Sequence, residues 1–176
     1  RGAIFRGGKV GEGGVGSGGL SMTMLRGGAG NGGYERREDF ANRARTNVRS
    51  FLGEAALEHY KVELRDCYDG IDERDVDRVV LDLPEPWRVV KHAEAALHPG
   101  GNMLAYLPTI GQVARLREEL AGSAFGMVGA WEVPQRAWHV EGQSVRHGPR
   151  LAAPGGRRGG GGKGGGSGGG AQARRK

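Results

Sequence analysis

Three carboxylates, Glu35, Asp66 and Asp82, stand at the C-terminal ends of segments patterned as strands, and a glycine-rich run, Glu12-Gly13-Gly14-Val15-Gly16-Ser17-Gly18-Gly19, opens with a fourth. In an open α/β sheet ligands bind just outside the carboxyl ends of the strands, so all four points converge on one rim. Glu35 follows the glycines by about 20 residues, the spacing of a carboxylate that accepts both hydroxyls of a ribose. Asp66 can accept from an adenine exocyclic amine, although Asp66-Cys67-Tyr68-Asp69-Gly70 also reads as a plain turn. Asp82 lies between the apolar triplet Val79-Val80-Leu81 and Leu83-Pro84-Glu85-Pro86-Trp87. The two prolines disfavour helix at the residues before them, so the carboxylate sits on a stiff, extended segment beside Trp87, which offers an aromatic face or a wall to a planar substrate.

Glycines let a backbone approach a ligand closely, and the helix start behind them presents free N–H groups. Gly14-Val15-Gly16-Ser17-Gly18-Gly19 partly satisfies the dinucleotide fingerprint, which leaves a nicotinamide oxidoreductase as a rival reading. An acid at the head of the loop argues the other way. Glu12 suits a cationic amino group or sulfonium better than a pyrophosphate, and favours S-adenosylmethionine. The five histidines show no metal-ligand spacing, so no metal is expected. A single cysteine, Cys67, excludes an intrachain disulfide. No apolar run approaches the roughly 18 residues of a membrane span, and residues 1–10 carry no signal-peptide core; the expectation is a soluble, cytoplasmic protein with no membrane partner.

These residues must be positioned by alternating elements. A first strand is expected within residues 1–11, followed by the loop and a helix burying Leu20, Met24 and Leu25. Asn31–Glu35 predicts a second strand, thinned by Gly32 and Gly33. Residues 36–52 predict a helix with Phe40, Ala44, Val48 and Phe51 on one face. Strands follow at 61–64 and 76–82, a helix at 87–97, a strand at 103–107, and a helix capped by Thr109 that buries Ile110, Val113, Leu116 and Leu120. Residues 127–133 and 138–145 predict two strands paired antiparallel. The pattern is that of an α/β, Rossmann-like doubly wound, mostly parallel sheet with a terminal antiparallel pair.

Glycine and charge mark the ends of this domain. Of 36 glycines, 12 fall in residues 155–170 and 14 in residues 1–33. Residues 155–176 hold six Lys or Arg and no acid, so the net charge of +6 belongs to the tail. The expected division is a methyl-donor-binding domain over residues 1–150 and a disordered basic tail over 151–176, suited to weak contact with a polyanion or to no contact at all.

Glu12–Leu20, Tyr34-Glu35-x-Arg37-Glu38-Asp39-Phe40-Ala41, Asp77–Trp87 and Pro99-Gly100-Gly101 together resemble the tRNA adenine-N1 methyltransferase family that modifies the T-loop adenosine at position 58. The similarity runs from about Phe5 to Arg146. It implies a class I methyltransferase fold, S-adenosylmethionine as methyl donor, tRNA as partner and a homotetramer. Carried over by position, Ser17, Gly18, Gly19 and Leu20 line the methionine and ribose side of the donor. Glu35 clamps the ribose, Phe40 lies near the adenosine, Asp66 meets the adenine amine and Asp82 faces the target base as the catalytic residue. Arg136 and Trp138 match the penultimate strand region. The family's amino-terminal β domain and last strand are expected to be missing, which leaves the sheet incomplete at its C-terminal edge and keeps open a catalytically silent RNA-binding relative or fragment.

Overall fold

The computed structural model describes residues 4–132, 138–147 and 169–175. The sheet strands are β1 (Lys9–Gly13), β2 (Gly30–Glu35), β3 (Tyr60–Leu64), β4 (Val76–Leu81), β5 (Leu97–Leu107) and β6 (Phe125–Glu132). Between them lie α1 (Gly19–Arg26), α2 (Glu38–Leu52), α3 (Val90–Ala96) and α4 (Ile110–Ala121). A separate hairpin pairs β7 (Trp138–Glu141) with β8 (Ser144–His147), and β9 (Gly169–Arg175) closes the chain. The main sheet runs β3-β2-β1-β4-β5-β9-β6. Its first five strands are parallel, and β9 is antiparallel to both neighbours. The direction of winding reverses at β1 and β4, so the rim above their carboxyl ends is where such a sheet offers a crevice.

Alternation along each strand decides which side chains reach which layer. On β4, Val79 and Leu81 join the large core built with α3 and α4, while Val80 packs on the opposite face beside Val10, Met24 and Ala29. Leu97, Met103, Ala105, Leu107, Leu116, Leu120 and Phe125 complete the large core. A smaller one joins Val15, Ala41, Ala44 and Val48 to Tyr60 and Val62. Helices therefore cover both faces. Thr109 caps α4 as expected, its Oγ1 accepting from the Gln112 N–H at 3.3 Å.

Several expectations are corrected. Gly169–Arg175, assigned to a disordered tail, is a strand inside the sheet, and the last strand expected to be missing is present. Ala173 is buried in the large core, and each flank of β9 is bonded to a longer strand. The sheet is thus not cut short at that edge; residues 151–168 lie outside the described residues. The antiparallel pairing joins β6 to β9, while β7 pairs with β8, because two long partners hold β9 more firmly than a lone hairpin could hold β6. Leu20, Phe51 and Ile110 face out, at 40%, 75% and 82% exposure, and α1 buries Met24 as expected, with Ser21 in place of Leu20. Gly32 and Gly33 do not damage β2. A Cβ on Gly33 would fall 2.4 Å from Val15 Cγ2, and one on Gly32 would collide with the Glu73 carboxylate, which accepts from the Tyr34 hydroxyl. Those glycines make room for neighbours.

Candidate active site

The loop after β1 turns on glycines in the left-handed region, Gly14 at φ 83° and Gly16 at φ 55°. At Gly14 the need is also spatial: a Cβ would sit 2.4 Å from the Asp82 carbonyl oxygen. The loop is thereby drawn against the end of β4, where the Asp82 N–H donates to the Gly13 carbonyl at 2.9 Å. On its other side, the Asn47 amide donates to the Ser17 carbonyl at 2.8 Å, and Gly18 abuts Ala44 so closely that a Cβ would lie 3.1 Å from the Ala44 Cα.

Above this loop opens a cavity of about 540 Å³ lined from the carboxyl ends of β1 to β4, among others by Gly14, Gly16, Glu35, Phe40, Asp66 and Asp82. That volume suits a small-molecule site. Glu35, the last residue of β2, accepts from the Gly16 N–H at 3.0 Å and the Arg37 N–H at 2.9 Å, one bond to each oxygen. A carboxylate has about four acceptor positions, so two remain for hydroxyl donors. Asp66, past β3, spends Oδ1 on the Tyr68 N–H at 3.0 Å, starting the 3-10 turn Cys67–Asp69. Phe40 sits half-buried in the wall with the Arg37 guanidinium 4.1 Å from its ring centre. Asp82 opens to the cavity, and partial desolvation pushes its carboxyl above the ordinary aspartate range.

Of the residues assigned to the donor, Glu12, Ser17, Gly18, Gly19 and Leu20 are not on the cavity wall. Ser17, Gly18 and Gly19 shape the loop and start α1, and Leu20 points to solvent. For Glu12 the cause is strand alternation. Val10 and Glu12 share the face covered by α1, while Gly11 and Gly13 face Ile71, Cys67 and Leu81. Glu12 is 1% exposed, accepting from Ser21 Oγ at 2.6 Å and Asn31 Nδ2 at 2.5 Å. Trp87 is likewise absent from the wall and packs against the large core. Arg136 lies outside the described residues, and Trp138 is exposed on the hairpin.

The sequence did not single out Tyr68 or Arg88, which also line the cavity. Tyr68 accepts from the Glu85 N–H at 3.0 Å, and the Arg88 guanidinium stands 4.1 Å from its ring centre. Asp66 caps the turn that swings Tyr68 back, and Pro86 opens a short 3-10 helix that brings Arg88 round, but neither local signal shows that the two side chains meet.

Desolvation pushes the Glu12 carboxyl up to about 7, against the hydrogen bonds from Ser21 and Asn31 and with a small push from Asp82. Unfolded, it titrates at its ordinary 4.5, so between those values the folded chain holds more proton. The stability tied to this group is full below pH 4.5 and is lost as pH rises through about 7. Melting temperature is expected to fall from pH 5 to pH 8 by about 5–10 °C more in the wild type than in Glu12→Gln, measured by differential scanning calorimetry. A parallel fall in both would remove Glu12 as the source.

A sequence model of the family described as the tRNA methyltransferase complex GCD14 subunit matches residues 3–153. The chain belongs to that family. Among curated relatives of this GCD14-type chain, the tRNA (adenine(57)-N(1)/adenine(58)-N(1))-methyltransferase TrmI of Methanocaldococcus jannaschii is 33% identical over 86% of the chain and 63% of the relative. The tRNA (adenine(58)-N(1))-methyltransferase TrmI of Thermus thermophilus is 35% identical over 75% and 52% respectively. The chain thus spans between about half and two thirds of these relatives' length. Of solved structures, a SAM-dependent O-methyltransferase from Thermotoga maritima superposes with a TM-score of 0.79 at 26% identity, over 98% of this chain and 60% of that one. The tRNA (m1A58) methyltransferase TrmI from Aquifex aeolicus gives 0.75 at 22%, over 96% and 62%, and shares the fold. The Rossmann-like methyltransferase architecture expected of this GCD14-family chain is therefore established.

Proposed function

We propose that the cavity binds S-adenosylmethionine and directs its methyl group to N1 of the T-loop adenosine at position 58 of tRNA. The observation that carries this reading is the sharing of one cavity by Glu35 and Asp82, with the positive-φ glycines of the β1 loop at its floor. The residues fit the donor. Gly14 leaves the backbone bare where any side chain would collide, and the two open acceptor positions of Glu35 match a ribose diol. Asp66 is free through its second oxygen to accept from the adenine amine, with Phe40 beside it.

Bound there, S-adenosylmethionine supplies a methyl group on a sulfonium leaving group, which an adenine N1 lone pair can displace. The T-loop adenosine must first be extruded, at a cost of a few kcal/mol. Asp82 accepts from the exocyclic amine of the everted base, orients N1, and offsets the positive charge that grows on the ring, a preorganised electrostatic role. Arg36, Arg37 and Arg88 at the mouth are suited to the flanking phosphates. Loss of the Glu35 clamp, as Glu35→Ala, is expected to weaken donor affinity by about 10–100-fold in calorimetric titration, because two charge-assisted bonds go. An unchanged affinity would remove Glu35 from the donor site.

The proposal extends to a cytoplasmic tRNA-modifying protein that self-associates. Met127 and Trp131 on β6, and Trp138 and Val145 on the hairpin, are exposed apolar side chains that assembly would cover, which light scattering would read. For the activity itself, incubation with unmodified tRNA and methyl-labelled donor should label the RNA. Preferential binding of NAD over S-adenosylmethionine would replace this reading with that of a nicotinamide enzyme.

A further inference from the structure

Glu12 is buried at a cost and touches nothing in the cavity. Its Oε2 takes both hydrogen bonds, from Ser21 of α1 and Asn31 of β2, while Oε1 is enclosed with no partner among the described residues. An apolar residue would fill this place on β1 more cheaply, and an ionised carboxylate so placed calls for a counter-charge. Among the described residues no cation bonds to it. From β3, Tyr60 reaches it through Ser21, the phenol donating to Ser21 Oγ at 3.1 Å, and stays neutral with its hydroxyl pushed up to about 12. From α2, Arg45 is occupied by the Val62 carbonyl, 2.5 Å away, and bears on Tyr60 rather than on Glu12. From the end of β4, Asp82 adds negative charge. Yet Glu12 is close to the cavity along the chain: Gly14, two residues further, lines it, and so does Asp82, whose N–H donates to the carbonyl of the intervening Gly13 at 2.9 Å.

We propose that Glu12 is a specificity-determining counter-charge for the methyl donor, partly protonated at neutral pH while the cavity is empty and ionised when a sulfonium occupies it. This rests on the reading of the cavity as an S-adenosylmethionine site. The cationic donor favours the carboxylate and drives its proton to solvent. After transfer the methyl carbon is bonded to N1 and the pair of the broken C–S bond stays on sulfur, so the spent thioether has one positive charge fewer. Glu12 then regains a proton from solvent, and the extra attraction is gone. The residue thus discriminates donor from product without touching either, and the preference grows with pH.

Calorimetric titration of S-adenosylmethionine into the full chain at pH 7, in buffers of different ionisation enthalpy, counts the protons released. About half a proton per donor is expected, since the carboxyl sits at about 7 in the empty site, and none with S-adenosylhomocysteine. From pH 6 to pH 8 the ratio of product Kd to donor Kd should rise by up to about tenfold in the wild type and stay flat in Glu12→Gln. If that variant fails to fold, the wild-type donor and product series decides alone, the product serving as the control of lower charge. Donor binding without proton release overturns the proposal, as does release that persists in Glu12→Gln and disappears in Asp82→Asn. Absence of any donor binding by the wild type overturns the S-adenosylmethionine reading as well, so the two failures are told apart.

Discussion

A chain ended at Gly168 loses its cooperative unfolding transition. Gly169–Arg175 lies between β5 and β6, paired on one side from Asn102↔Arg174 to Leu107↔Gly169 and on the other from Phe125↔Arg175 to Glu132↔Gly169. Ala173 is wholly buried beside Met103, and the Arg175 guanidinium donates to the Leu97 carbonyl. Without β9 the backbone groups of β5 are unpaired, β6 has no partner in the sheet, and the Leu116, Leu120 and Phe125 layer is opened. Domains of this size are stable by only about 5–15 kcal/mol, and losing an internal strand with its ladders removes a large share of that. Calorimetry or circular dichroism should show a broad, early transition for the truncated chain. A melting temperature within a few degrees of the full chain would mean that the C-terminal strand is dispensable.

Asp82→Asn lowers the methylation rate constant by about 10²–10³-fold while leaving donor affinity nearly unchanged. The amide keeps the shape of the side chain and can still accept one hydrogen bond, but it carries no charge to set against the cation forming on the adenine; losses of that order follow when one preorganised electrostatic partner is removed. Since Asp82 acts as the carboxylate, and desolvation raises its proton affinity, wild-type activity falls on the acid side at a higher pH than an ordinary aspartate would set. Single-turnover measurement with saturating donor separates chemistry from binding. A rate within a factor of about three of the wild type would leave Asp82 as a turn residue only.

The rim was readable in the sequence because its signals are local. Glu35, Asp66 and Asp82 each close or follow a short strand-patterned segment, and the glycines of the β1 loop mark where backbone meets backbone. Helix α3 and the Thr109 cap were equally plain. What stayed hidden depends on partners distant in sequence. Gly169–Arg175 offers only small, polar and charged residues after a run of glycines, and becomes a strand because β5 and β6 flank it. Gly32 and Gly33 read as defects until Glu73 and Val15 are seen to need their space. Glu12 belongs chemically to the loop, but alternation along β1 turns it beneath α1. Tyr68 read as part of a turn, and only its contacts with Glu85 and Arg88, 17 and 20 residues onward, bring it to the cavity.

The most direct test of the account is nucleoside-resolved mapping of the methyl group. After incubation of the full chain with S-adenosylmethionine and an unmodified tRNA transcript, mass analysis of the T-loop fragment should find one added methyl, at N1 of adenosine 58, and none when that adenosine is replaced by guanosine. A methyl on an exocyclic amine, on ribose or outside the T loop would contradict the proposed geometry of Asp82 facing an everted adenine.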